Sequence, residues 1–441
     1  MAANNPNLTR KTLVIARTEA TVGAHNIVAA NESATRKSGA LLIFDEINPI
    51  SMDTTVVDIA PVRASLSKNK NLIGRRLYNL RPKTFLMGSP GLSTNAYLYG
   101  QGAVASIPDG GVTQASHETA VASAATGKSG STGMTLVAPD GDSDTVAGTA
   151  APFFGTLLRA CGLQQIIQAS VSTVYRPRSA GFESACVNVY ADKILHKSAS
   201  VMGSFTLSGS AGEGGELQFD MRGTYTLPTT ATVPTVTYPK DTKKLVQALG
   251  DKGGWIIDNV STDHALGTGD LGKSSHGFRG APIVRSFTFD AGVNVVERMD
   301  ANSQFGLQGL FVTDRAPTLE LVVEVENDLT SAGTGTNFNP MNDLADADGD
   351  SVRHALKFMH GDDNTDTASY DKIGFTFPSA QLVDVQYADD AGIRTYTLSY
   401  NITADTDDND YGIVFGCTNI TDLTDDSWNT TSVNRDTGFV Q

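Results

Sequence analysis

Cysteine is almost missing from this 441-residue chain: Cys161, Cys186 and Cys417 are its three, widely spaced and without a CxxC pair. An odd, sparse count argues against a disulfide framework and fits a reducing compartment. Charge is scarce too, at 18% of residues, and it is skewed. Lys and Arg number 33 against 48 Asp and Glu, a net charge of −15. A protein that grips nucleic acid needs a basic stripe to release counterions from phosphate, and the overall balance here is the reverse. Long apolar runs are also lacking. None approaches the roughly 20 residues needed to span a bilayer, and the polar stretch Met1 to Lys11 has no apolar signal core. The expectation is a soluble chain, made in the cytoplasm and with no membrane partner.

What is present is β patterning on a Gly-, Ser- and Thr-rich background. The length suggests more than one domain. After a polar N-terminal arm, Leu13 to Ala16 and Ala40 to Phe44 read as short strands. Lys68, Lys70, Arg75, Arg76, Arg81 and Lys83 form a basic cluster. No aromatics are interleaved to stack bases, so this cluster is expected to meet an acidic patch on a neighbouring subunit. Residues 88–149 are poor in large apolar side chains and read as one long loop, suited to reaching an adjacent subunit. In APFFGTLLRACGL (151–163) the apolar residues recur at helical spacing, with Pro152 in the first turn and Gly162 as the stop. Val201, Gly203, Phe205 and Leu207, a Gly-rich turn at 209–215, then Leu217, Phe219, Met221, Gly223 and Tyr225 predict a long hairpin with one buried face. Pro228, Pro234 and Pro239 mark a boundary, dividing the chain into 1–239 and 240–441.

The second part has similar features. DTKKLVQAL (241–249) predicts a short helix capped by Asp241 and stopped by Gly250. Phe287 and Phe289 start a strand, and Leu307–Val312 and Leu319–Val325 flank a turn at Thr313–Pro317. Phe375 to Tyr387, the turn Asp389–Gly392 and Tyr396 to Ile402 form a second long hairpin. Each part thus offers a helix and long hairpins, which suggests a duplication.

Several motifs point towards chemistry and lack its context. GTGDLGKS (267–274) fits the P-loop pattern, but a P-loop needs a helix directly after it to present amides to phosphate, and Gly277, Gly280 and Pro282 oppose one. Asp346, Asp348 and Asp350 resemble a calcium loop, yet aligning Gly349 with the required glycine puts Leu344 and Ala355 at the first and last ligand positions. The acidic stretches 140–144 and 405–410 read as solvated turns. His25, His117, His196, His264, His276, His354 and His360 show no close metal-ligand spacing; His354 and His360, near Asp362 and Asp363, are the nearest approach to one. No nucleophile elbow occurs. We therefore expect no catalytic, cofactor-binding or metal residues and no enzymatic activity; a nucleotide-binding enzyme using Lys273 is the remote alternative.

TLVIARTEATVGAHN, GTAAPFFGTLLRACGL with the following Val187–Tyr190, and KILHKSASVMGSFTLSGSAGEGGELQFDMRGTYTLP resemble segments of the major tail tube proteins of long-tailed bacteriophages, over roughly the first 240 residues. FTFDAGVNVVERMD and VTDRAP extend the resemblance more faintly. It implies a mainly β fold with a few short helices, in tail-tube-type sandwich or barrel domains whose long hairpins line a lumen. It implies a virion protein that polymerises into stacked rings, the conduit for the genome. Its partners would be copies of itself, a tape measure protein, and tail terminator and distal tail or baseplate proteins, with DNA passing an acidic lumen unbound. The second part is then either a duplicated tube domain, with three chains per pseudo-sixfold ring, or a decoration, with six. A single-ring baseplate or distal tail protein is the alternative.

Overall fold

The computed structural model describes residues 12–19, 23, 39–41, 50–58, 70–86, 103–104, 154–168, 172–179, 181–232, 236–237, 254–260, 279–280, 282–302, 307–325, 340–344, 353–360, 373–403 and 410–415. It is mainly β, with antiparallel pairings and, among the described residues, two short helices, Gly155–Ala160 and Pro340–Leu344. The second helix was not signalled by the sequence. The helix expected at 241–249 and nearly all of the loop at 88–149 lie outside the described residues.

Alternation of apolar and polar residues places each main strand with one face in the core. The first hairpin pairs Ile194–Ser210 with Glu216–Thr224, Phe205 opposite Phe219 and Leu207 opposite Leu217, all four buried. Its first strand begins seven residues before the alternation expected from Val201. At Ser198–Val201 a bulge interrupts the register, Ser200 takes a φ of 53°, and residues 198–203 are buried in succession. The bulge bends the strand. Residues 194–201 pair with Ala185–Ala191, while 202–210 join the larger sheet. Glu19 holds the bend: its carboxylate accepts hydrogen bonds from the Ser200 amide (2.6 Å) and the Ser184 hydroxyl (2.5 Å).

The larger sheet runs Ile50–Val57, Leu72–Leu80, Glu216–Thr224, Ile194–Ser210, Val284–Asp290, Thr318–Glu324, Ile393–Ile402, Ile373–Asp390. Strands from both sides of residue 240 are therefore direct neighbours, and one apolar cluster extends from Val14 and Leu217 to Phe377 and Phe415. The second hairpin turns through Ala391 (φ 54°) and Gly392 (φ 87°), the two positive values that a two-residue hairpin turn of matching twist needs. The helix Gly155–Ala160 is shorter than its sequence signal but is packed as expected, with Leu157, Leu158 and Ala160 buried. Gly155 is required there because a Cβ would lie 2.0 Å from the Tyr175 hydroxyl.

Strands 307–315 and 318–324, which flank the turn at Thr313–Pro317, do not pair with each other. The first joins Val293–Met299 in a separate two-stranded ribbon, whereas the second enters the large sheet. Backbone geometry dictates this, since Gly292 (φ 56°) and the Ala316 amide bonded to its carbonyl form the waist where ribbon and sheet part. The single chain also closes no barrel among the described residues. Its pairings branch and return to no earlier strand, and the outer side of Ile50–Val57 and the distal half of Ile373–Asp390 have no paired neighbour among the described residues.

Candidate assembly surfaces

The outermost hairpin, Ile50–Val57 with Leu72–Leu80, is buried at its root by Leu77, Tyr78 and Leu80. Towards its tip it leaves the core, and Met52, Val56, Val57, Leu72 and Ile73 are 49–58% exposed. A two-stranded hairpin offers no second layer to cover such residues, and alone it is marginal in water. Among the described residues, Ile50–Val57 is hydrogen-bonded only on the side facing Leu72–Leu80. Arg75 fixes the hairpin's orientation by pairing with Asp53 (3.2 Å) and with Glu297 of the ribbon.

The opposite end of the sheet is the distal half of Ile373–Asp390. Residues 373–381 have Arg353–His360 on one side, but beyond Gln381 the pairing among the described residues is with Ile393–Ile402 alone. Val383, Tyr387 and Ile393 are 42–56% exposed here. Tyr387 lies against Tyr396 at 4.9 Å between ring centres, and the Arg394 guanidinium covers its ring at 5.6 Å. Arg285 ties this rim together, bonding Glu324 at 3.0 Å and Asp390 at 2.7 Å. An amphipathic Tyr with a stacked Arg is the chemistry that protein interfaces favour.

The ribbon lies across the first hairpin, on the face that alternation alone leaves to solvent. Leu310 and Val312 bury Met202, and the Val293 amide donates to the Ser204 hydroxyl at 3.1 Å. Sequence reasoning missed this cover because Met202 stands in the polar register of its strand.

Part of the predicted basic cluster finds acidic partners within the chain. Besides Arg75, Arg81 pairs with Asp220 at 3.2 Å and Lys83 with Glu216 at 2.9 Å, while Arg76 lies 5.8 Å from the Tyr225 ring centre. Antiparallel pairing of 77–85 with 216–224 brings Arg81 and Lys83 to acids of the same chain. Lys70 is exposed, and Lys68 lies outside the described residues. So do GTGDLGKS, the calcium-like loop, most of the other acidic turns, Cys417, and His25, His117, His264 and His276. Cys161 and Cys186 are buried free thiols, and burial pushes the Cys161 thiol well above its ordinary pKa. His354 is buried with its Nδ1 3.0 Å from the Tyr400 hydroxyl, and His196 is half-buried against Tyr78. Among the described residues, no three His, Cys, Asp or Glu side chains are grouped to hold a metal.

No family model and no curated protein matches this chain. Among solved structures it is similar to the SPP1 tail tube, at 12% identity and a TM-score of 0.23, over 38% of this chain and 79% of that one.

Proposed function

We propose that this chain is a structural protein that assembles with copies of itself into stacked rings, forming the tube of a phage tail. The observation that supports this most is the open sheet: among the described residues the outer side of Ile50–Val57 and the distal half of Ile373–Asp390 have no paired neighbour, and each is bordered by exposed apolar side chains. A lone chain in that state invites edge-to-edge association, and head-to-tail joining removes both edges when it closes a ring. The resemblance of the first part to tail tube proteins supports the tube over other ring architectures. Negative-stain microscopy and light scattering of the purified chain, with and without a tape measure protein, test this. Rings that stack into tubes are expected. Single rings that never stack would shift the assignment to a baseplate or distal tail component. Monomers across all salts, with the tape measure present, would overturn it.

A further inference from the structure

The strand pairings occur twice in the same chain order. In the first set, Thr12–Thr18 pairs with Ala185–Ala191, which pairs with Ile194–Ser210, then Glu216–Thr224, then Leu72–Leu80, then Ile50–Val57. In the second, Gly254–Val260 pairs with Arg353–His360, then Ile373–Asp390, Ile393–Ile402, Thr318–Glu324 and Val284–Asp290. In each set a return strand, Thr229–Thr230 or Gly412–Phe415, pairs with the start of the long strand. In chain order a short helix, Gly155–Ala160 or Pro340–Leu344, comes before the second strand of each path. Core positions correspond as well. Leu217, Phe219 and Met221 match Tyr396, Leu398 and Tyr400, and Leu80 matches Leu319, all of them buried. Both long strands bulge at equivalent places, and a threonine locks each bulge: the Thr224 hydroxyl donates to the Ala199 carbonyl and the Thr403 hydroxyl to the Ser379 carbonyl, both at 3.0 Å.

The two repeats meet at a joint that this equivalence makes informative. The distal edge of the first long strand pairs with the leading strand of the second repeat, Leu207 opposite Phe289 and Thr206 opposite Asp290. The matching edge of the second repeat, from Val383 onward, is unpaired among the described residues, and so is the outer edge of Ile50–Val57, the leading strand of the first. Exposure marks the missing neighbour. Leu207 is 1% exposed and its counterpart Tyr387 is 56% exposed; Ala291 is 0% exposed and its counterpart Met52 is 54% exposed.

We propose that these two edges form the same joint between two copies of this chain. The distal half of Ile373–Asp390 pairs antiparallel with the strand that begins at Ile50 of a second copy, placing Tyr387 opposite Ile50 and Gln386 opposite Ser51. The register follows from the internal joint, since Ile50 stands to Leu80 as Phe289 stands to Leu319, and Tyr387 stands to Tyr396 as Leu207 stands to Leu217. The hairpin tip bearing Val56, Val57, Leu72 and Ile73 then covers the second hairpin of its neighbour, as the ribbon covers Met202 within the chain. The joint is head-to-tail, so it propagates from copy to copy until a ring closes, with twice as many repeats as chains. This deepens the assembly reading above, which holds that copies join and leaves open where.

Cysteine pairs test it, in a background carrying Cys417→Ser. Gln386→Cys with Ser51→Cys and Tyr387→Cys with Ile50→Cys sample adjacent positions, and cross-strand Cα spacings of about 4.5 and 5.5 Å both permit a disulfide. Oxidation should give a ladder of covalent oligomers ending at one ring size. The mismatched pair Gln386→Cys with Ile50→Cys should give none, because its side chains point to opposite faces. Gln386 and Ser51 are both exposed, so the first variant is expected to keep the parent's circular dichroism. Assemblies that form without either matched cross-link would overturn this joint and leave self-assembly standing. A chain that stays monomeric would overturn both.

Discussion

The distal half of the first long hairpin has neighbours on both edges, whereas among the described residues the distal half of the second has one on only one edge, and nearly every contrast between them follows from that. Leu207 is closed in by Phe289 from the adjoining strand, while Tyr387, at the matching place, faces outward beneath Arg394. The residue types are adjusted to the difference. Where the neighbour is always present the position is purely aliphatic. Where no neighbour is paired among the described residues, the position has a phenol that tolerates water, flanked by Asp384, Asp389 and Asp390. Charges on an exposed edge keep a free sheet from pairing indiscriminately. A joint within the chain and the interface proposed above would thus share one backbone pattern and differ in side chains.

The sharpest way to break this comparison is to make the same cut at both joints. Phe289→Ala should cost about 3–5 kcal/mol of monomer stability in chemical denaturation, the usual loss for a buried phenylalanine. Ile50 is partly buried against the core, so Ile50→Ala should cost the monomer less than the roughly 2 kcal/mol at which truncations of fully buried isoleucines begin, and yet weaken assembly at least tenfold by light scattering. Equal destabilisation of the monomer by both would mean that Ile50 is already covered within one chain.

The bends in the two long strands give a second test. In the first repeat the bulge is held by a carboxylate, with Glu19 accepting from the Ser200 amide, the Ser184 hydroxyl and the Gly23 amide. In the second, neutral groups do the work: the Ser379 hydroxyl lies 2.8 Å from the Thr403 hydroxyl, and the Thr403 amide donates to the Ser379 carbonyl. Hydrogen bonds to a charged group contribute about 1.5–3 kcal/mol and neutral ones about 1. Glu19→Gln should therefore destabilise by about 1.5–3 kcal/mol and Thr403→Val by about 1 kcal/mol, both read from urea midpoints. A smaller loss for Glu19→Gln would show that the bend is fixed by packing. Further out, Arg285→Ala removes its pairs with Glu324 and Asp390 on a solvated rim and should cost no more than about 1 kcal/mol, an effect that shrinks in high salt.

Much of the fold could be read from alternation, because a half-buried strand records its environment every second residue. Both long hairpins, their turns and the helix around Leu157 were visible this way. What alternation could not show is a strand that changes phase. The bulge at Ser198–Val201 buries a run of residues and hides the true start at Ile194. Nor could it show long-range partners. The ribbon over Met202, the route from Arg315 into the sheet, and the burial of Lys357, 1% exposed, all depend on segments far apart in sequence. The basic cluster was visible as a cluster, but whether it faced another chain or its own acids was decided by the register between 77–85 and 216–224. Alternation also did not separate edge strands from central ones, since both record the same period of two.

His196 offers the smallest contrast and the one most specific to the first repeat. Its Nδ1 lies 3.2 Å from the Tyr78 hydroxyl, which donates to the Thr226 carbonyl at 2.9 Å. The hydroxyl proton is thus committed, and the imidazole serves best as a neutral donor to the Tyr78 oxygen. Burial holds the His196 pKa below its ordinary value, and burial, with Tyr225 adding to it, pushes Tyr78 up to about 12. A histidine whose folded-state pKa is depressed takes its proton more readily when unfolded. Stability should therefore be flat above pH about 7.5, decline as pH falls through the unfolded value of about 6.5, and level off once the folded-state group is also protonated. The second repeat has Phe375 at the equivalent position, opposite Phe358 as His196 is opposite Val189. His196→Phe should therefore abolish a modest acid-side drop in melting temperature without lowering the plateau, as measured by calorimetry between pH 5 and 8. If the drop survives the substitution, other groups carry it, and the two repeats do not differ at this position in their response to acid.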